Sequence, residues 1–421
     1  MLYALWVEAY LGECIMTGGE ALKEKNEYSK TLIACFIGYI VQAIVNNFAP
    51  LLFLTFRREF GIPLSQITWL ITINFGVQLA VDALSPAFVD RIGYRAAMLL
   101  GHAVSALGFV CLAFLPDLLP SPFAGLTVCV TLYAVGGGIM EVLVSPIVEA
   151  CPTENKQTAM SLLHSFYCWG QAGTVLVSTV FFALAGVGSW RVLAIVWAAV
   201  PVLNMLLFAR VPINTLIPEG EQGRSLSSLI KDKAFWLFVI MMLCAGACEL
   251  TVSQWASAFA EAGLHVSKQT GDLLGPMGFA LLMGSARAIF GKYGEKMSLK
   301  RFMAASAVLC LICYLVIGLT DSAAAGLIGC MVCGFSVGIF WPGTFSIASS
   351  RIPNGATLMF ALFALSGDLG CGGGPTLAGR LSSLFGDDLH KGILCACIFP
   401  AVMLVCVLIL GRDKRGIVKT H

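Results

Sequence analysis

Apolar residues in this chain gather in long blocks separated by short polar turns. The blocks fall at about 30–56, 66–90, 96–116, 122–148, 158–186, 189–210, 234–261, 270–293, 299–320, 323–350, 355–384 and 390–411. Each holds roughly the 20 residues that a helix needs to cross a hydrocarbon core of about 30 Å. Backbone groups in lipid must hydrogen-bond within their own segment, so the blocks predict helices and exclude an open sheet. Two predicted spans end in clear punctuation, Asp90-Arg91-Ile92-Gly93 and the basic cluster from Lys296 to Arg301. The expected fold is all-α and polytopic, with twelve transmembrane helices.

Composition strengthens this picture. Only 12% of the 421 residues are charged, and 58% are hydrophobic. A soluble domain carries about 25% charged residues, so this chain cannot clothe a water-facing surface of its size. The net charge of +2 says little as a sum, but its distribution says more. Of the 26 Lys and Arg, nineteen fall in segments on the side of the termini. Six fall on the other side (Arg57, Arg58, Arg191, Lys268, Arg380 and Lys391), and Arg287 lies inside a span. The positive-inside rule then puts both termini in the cytoplasm of a multi-pass cell-membrane protein.

The segment 211–233, rich in Pro, Gly and charge, divides the spans six and six and reads as a cytoplasmic linker. The expected organisation is a leader 1–29, a bundle 30–210, this linker, a second bundle 234–411 and a tail 412–421. The first 22 residues hold no Lys or Arg, which excludes a secretory signal. Met16-Thr17-Gly18-Gly19 resembles a more ordinary start, so translation is expected to begin there. Sixteen Cys sit mostly inside apolar blocks, including Cys310/Cys313 and Cys330/Cys333, and read as small apolar filler. With five His in the chain, neither a metal site nor a cofactor is expected.

The two halves echo each other. Asp90-Arg91-Ile92-Gly93-Tyr94-Arg95 follows the second span, and Glu295-Lys296-Met297-Ser298-Leu299-Lys300 follows the eighth, 205 positions later. Eight residues before each acid stands an intramembrane charge, Asp82 and Arg287. Such repeats are the plan of many secondary transporters. The pattern resembles the major facilitator superfamily, whose loop between spans two and three reads G-x-x-x-D-R/K-x-G-x-R/K. Asp90, Arg91, Gly93 and Arg95 match, with Pro86 in place of the leading Gly; the second copy keeps it as Gly291. The resemblance covers about 30–411. It implies two pseudo-symmetric six-helix bundles and a gating role for Asp90, Arg91 and Arg95.

Within that superfamily three stretches look like the fucose-permease-type sugar:proton symporters. They are Asn46-Asn47, Glu141 through Pro146, and Leu162-Leu163-His164-Ser165-Phe166. The group carries a proton and substrate Glu in span four, which Glu141 matches. Its first-span Asp is absent, since Phe48-Ala49-Pro50 follows the Asn pair.

Polar residues deep in lipid cost roughly 2.5–3.5 kcal/mol each on insertion scales, and they usually face a cavity or a partner. Glu141 lies about 10 Å deep at helical rise, and His164 enters span five from the same side. Burial raises a carboxyl pKa and a nearby cation lowers it, so Glu141 reads as a coupling or substrate residue, or as a hydrogen bond to span five. Glu249, Gln254 and Trp255 in span seven mirror Gln42, Asn46 and Asn47 in span one. Amides and a carboxylate beside an indole suit a polyol; helix–helix hydrogen bonding is the plainer reading. Asp368 precedes a Gly-rich run ending at Pro375 and is expected either to pair with a base across the halves or to carry a proton. Asp82 and Arg287 read as gate charges. Gly136-Gly137-Gly138 reads as close packing, and Trp169, Gln171 and Trp341 are further cavity candidates.

The function expected is secondary active transport of a small polar solute, a sugar or related compound, by proton-coupled alternating access. The alternative is a proton-driven antiporter exporting drugs or metabolites; the fifth span's Gly170-Gln171-Ala172-Gly173 lacks the Pro common there. An enzyme is not expected, and no G-x-x-x-x-G-K-S/T is present for an ATPase. The partners expected are a small-molecule substrate, protons and membrane lipid, with no nucleic acid, acting on a monomer.

Overall fold

The computed structural model describes residues 19–152, 156–214, 226–293, 298–352 and 356–412. The expected start at Met16, the centre of the linker, Glu295 to Met297 and most of the tail lie outside the described residues. All regular structure among the described residues is helical. Eleven segments among the described residues are long and apolar enough to cross a membrane. They are α1 Tyr28–Phe60, α2 Leu64–Ser85, α3 Arg91–Leu112, α4 Pro122–Val148, α5 Leu162–Ala185, α6 Val187–Phe208, α7 Lys233–Gly263, α8 Lys268–Phe290, α9 Leu299–Leu319, α10 Ala323–Ala348 and, last in the chain, α12 Leu389–Gly411. The 29-residue helix α11, Ala356–Leu384, lies between the last two and completes twelve. The fold is two pseudo-symmetric bundles, α1–α6 and α7–α12.

Helix boundaries depart from the apolar blocks where backbone chemistry intervenes. The helix that becomes α1 already begins at Gly19, inside the expected leader. α2 and α3 form one run, Leu64–Leu112, broken at Gly93 (φ 80, ψ 157), a conformation closed to most L side chains. The expected turn therefore pivots on one residue. Within α1, regular helix stops at Asn47 and resumes at Phe53 after a 3₁₀ turn, Ala49–Leu52. Pro50 has no N–H, so the Asn46 carbonyl loses its usual i+4 donor. In α10 the helix stops at Val337 and restarts at Phe340. There Pro342 frees the Gly338 carbonyl in the same way. The freed Asn46 oxygen lies where the two bundles meet.

Small residues let the helices touch. A methyl at Gly370 of α11 would overlap the Leu243 carbonyl of α7, and one at Gly246 of α7 would overlap the Gly367 carbonyl of α11. In the first bundle a methyl at Gly170 of α5 would sit 3.0 Å from the Ile40 Cα of α1. The α5–α1 and α11–α7 contacts are thus counterparts. The Gly136 to Gly138 run packs in the same way, Gly136 on α3 at Gly101 and Ser105, and Gly138 on α2 at Gln78.

The apolar core differs between the two ends. A large buried cluster crosses the seam between bundles and includes Phe48, Phe53 and Leu70 from the first and Trp255, Phe259 and Phe279 from the second. A separate cluster, with Leu32, Tyr39, Met140, Leu163 and Phe208, stays within the first bundle toward the face that carries the termini. The bundles are joined through the apolar cluster that crosses the seam.

Candidate functional site

The seam at mid-depth is lined by amides. Asn46 Oδ1 accepts from Asn74 Nδ2 (3.0 Å) and from Gln78 Nε2 (2.9 Å), both on α2. Its own Nδ2 points at the Tyr167 hydroxyl of α5 at 3.4 Å. Its main-chain oxygen, freed by Pro50, accepts from Gln254 Nε2 of α7 at 2.9 Å. One residue of α1 therefore binds three other helices, one of them in the other bundle. Beside it Gln171 Nε2 donates to Ser253 Oγ (2.7 Å), and the Thr72 and Thr376 hydroxyls meet at 2.7 Å, both across the seam. Asn74 Oδ1, Gln78 Oε1 and Glu249 Oε2 are buried acceptors without a hydrogen-bond partner.

Below this layer Glu249 of α7 faces Arg287 of α8 at 3.5 Å. Arg287 Nε donates to the Gly338 carbonyl that Pro342 frees (3.3 Å). Its Nη1 crosses to α5, reaching the His164 carbonyl at 3.4 Å and Cys168 Sγ at 3.2 Å. The His164 ring is exposed and lies 5.5 Å from the Tyr39 ring, whose hydroxyl bonds Ser145 at 3.0 Å.

The third feature is a carboxylate trio. One oxygen each from Asp82 (α2), Glu141 (α4) and Asp368 (α11) lies within 4.8 Å of the others. The trio spans the seam. Gln42 bonds Glu141, and Asp82 Oδ1 is buried without a hydrogen-bond donor. None of the ion pairs among the described residues includes any of the three. Three carboxylates so close repel by about 3 kcal/mol per charged pair at an effective dielectric near 20. They are arranged to share protons, or to ligate one cation through three oxygens.

The sequence-derived candidates sort as follows. Asn46, Gln254 and Glu249 meet at the seam. Asn47 does not join them, since its amide donates back to the Ala43 carbonyl of its own helix. Trp255 is fully buried, its Nε1 bonded to the Pro375 carbonyl and its ring 5.5 Å from Phe53. Asp368 meets two acids rather than the base across the halves that was one of its two expected partners. Asp82 likewise stands with the trio, apart from its repeat counterpart Arg287. His164 interacts with Arg287, not with Glu141. Arg95 donates to the carbonyls of Phe208, Ala209 and Val211 at the end of α6, and Arg91 is exposed. The Asp90 side chain lies outside the described residues. Trp169 is exposed, and Trp341 packs over Gly367.

Asn74, Gln78, Tyr39 and Tyr167 were missed as sequence candidates. A signal existed for two of them: Asn74, Gln78 and Asp82 stand four residues apart and form a polar stripe on one face of α2.

At the face opposite the termini, ion pairs tie the bundles. Arg57 binds Asp387 at 2.7 Å, Arg58 binds Glu261, and Lys268 Nζ donates to the Leu51 carbonyl. Toward the terminal face the bonds of Tyr28 to Asn214, Thr31 to Pro212 and Arg95 to α6 all close within the first bundle. The molecule is shut at the opposite face.

Two six-helix bundles meeting at a polar seam are an architecture shared by many membrane transporters. The Major Facilitator Superfamily profile matches residues 31–375, and the chain belongs to that family. No curated protein matches it. Solved structures share its fold at low identity. The E. coli fucose:proton symporter FucP is 15% identical, with 90% of this chain and 98% of that chain covered and a TM-score of 0.61. FucP in the outward conformation scores 0.62 over the same shares, also at 15% identity. A bacterial homologue of the human lysosomal transporter Spinster, inward-facing and occupied, is 13% identical, with 91% and 97% covered and a TM-score of 0.72.

Proposed function

We propose that the chain is a proton-coupled, alternating-access carrier of a small polar solute, a sugar or a related compound. The observation that carries this reading is the trio of Asp82, Glu141 and Asp368 across the seam. A group of acids that cannot all be charged together when the bundles meet, but can be when they part, couples protonation to bundle motion. Protons entering from one side let the halves close; release on the other side drives them apart. Glu249 shares the coupling role.

The solute site is the amide layer around Asn46. Buried acceptors on Asn74, Gln78 and Glu249 call for donors, which the hydroxyls of a polyol supply. The bundles 30–210 and 234–411 rock about this layer, with 211–233 as the linker. Both termini lie in the cytoplasm, and Asp90 and Arg91 take part in closing the terminal face.

The test is reconstitution of the purified protein in liposomes under an imposed proton gradient, with a panel of polyols. Wild type accumulates solute with proton uptake, while Glu141→Gln and Glu249→Gln bind solute but do not accumulate it. Gradient-driven accumulation intact in both variants refutes the coupling assignment. Extrusion in place of uptake would mark the exporter instead.

A further inference from the structure

Arg287 is a largely buried cation without a close carboxylate partner. It lies inside the membrane with its side chain 15% exposed. A guanidinium there needs a carboxylate at about 2.7–2.9 Å, taken by two parallel hydrogen bonds. Other arginines of this chain have one: Arg57 sits 2.7 Å from Asp387, and Arg191 sits 2.6 Å from Glu59. Arg287 does not. Glu249 stands off at 3.5 Å, and its Oε2 accepts no hydrogen bond although its side chain is 8% exposed. The remaining contacts are two main-chain carbonyls at 3.3 and 3.4 Å and two sulfurs at 3.2 and 3.8 Å. The carbonyl contacts are long, the sulfurs are weak acceptors, and none of the four is an anion. The fork is held in place by the carbonyl that Pro342 frees.

We infer that Arg287 is the anchor for an anionic group of the transported solute, with Glu249 as its stand-in when the site is empty of solute. The solute class is then a carboxylate-bearing polyol or hydroxy acid rather than a neutral sugar. The position suits this role. Arg287 touches α5 of the first bundle and α7 and α10 of the second, so an anion bound there is held by both halves. The neighbouring amides around Asn46 take its hydroxyls. The inference rests on the carrier reading above and narrows its substrate.

The charge balance follows. Before binding, Arg287 and Glu249 are a neutral pair. The arriving carboxylate takes the fork, and Glu249 gives way and takes one proton from the open face. Guanidinium, solute carboxylate and carboxylic acid again sum to zero. One anion and one proton therefore enter together. The charged and titratable groups that interact with Glu249 are Arg287 of α8, Glu141 of α4, Tyr167 and Cys168 of α5 and Cys371 of α11. Arg287 is the one cation among them.

The test uses the full-length protein in detergent and in proteoliposomes. Probes are matched pairs: glucuronate and gluconate against glucose and sorbitol, and small hydroxy acids against their amides. Wild type is stabilised by an acid at a concentration at least tenfold below that of its neutral partner. Arg287→Gln erases this preference, Arg287→Lys keeps part of it, and Glu249→Gln binds the acid as tightly or more tightly but takes up no proton with it. Wild-type selectivity decides the matter even where a variant does not fold. Accumulation of the neutral partner with equal affinity, or a preference for acids that survives in Arg287→Gln, overturns the inference and leaves the carrier reading standing. Accumulation of neither series overturns both.

Discussion

Gln254 of α7 donates to the main-chain oxygen of Asn46 in α1 at 2.9 Å, and that oxygen is free only because Pro50 has no N–H to offer it. A proline in one bundle creates an acceptor that a side chain of the other bundle satisfies. The bond crosses the seam, so it contributes to holding the two bundles together there.

Replacing Gln254 by Leu leaves a buried carbonyl without a donor, worth about 1–3 kcal/mol. The loss falls on the conformation closed at the face opposite the termini. Spin labels at the exposed Leu184 and Leu384, near the ends of α5 and α11 at that face, report the separation. The open population is expected to rise about tenfold in Gln254→Leu. An unchanged distance distribution would show that other contacts alone hold the seam.

Arg57 and Arg58 close the same face through Asp387 and Glu261. Both arginines are substantially exposed, so each pair contributes less than about 1 kcal/mol and weakens with salt. Each single Ala variant is expected to shift the same label distances slightly, and the double variant to shift them by about the sum. High salt should mimic the double variant in wild type and do little more to the variant itself.

The acid trio makes a prediction of opposite sign for stability and activity. Asp82→Asn, Glu141→Gln or Asp368→Asn removes one charge from a site without a cation. Each variant should unfold a few degrees higher than wild type and lose gradient-driven accumulation. Thermal unfolding in detergent and liposome uptake check the two halves of this. A fall in both would make the trio a hydrogen-bonding centre that the fold requires.

The glycine run of α11 holds two kinds of residue. Gly370 lies against the Leu243 carbonyl of α7, whereas a methyl at Gly373 meets nothing within 4 Å. Gly370→Ala is expected to destabilise the second bundle by about 1–3 kcal/mol or more through overpacking. Gly373→Ala should be neutral or slightly stabilising, as is usual for Ala in place of Gly in a helix. Folded yield and thermal unfolding separate the two.

The sequence by itself determined the environment of the chain and the order of its helices. Apolar blocks and scarce charge allow only helices in lipid, because no other local structure satisfies the backbone there. The repeated loop after the second and eighth spans carried the family likeness, and the cost of burying charge singled out Glu141, Glu249, Arg287, Asp82 and Asp368. Tertiary structure alone decided who meets whom. Asp82 and Arg287, equivalent in the repeat, separate into an acid trio and a loose ion pair, because each faces a different helix. Asn46 and Asn47 are neighbours in sequence, but a helix turns about 100° per residue, so one reaches the seam and the other its own backbone. Spacing along one helix sets which side chains share a face. The rotation and depth of the helix opposite, fixed by glycines and prolines far away in the chain, set what that face touches.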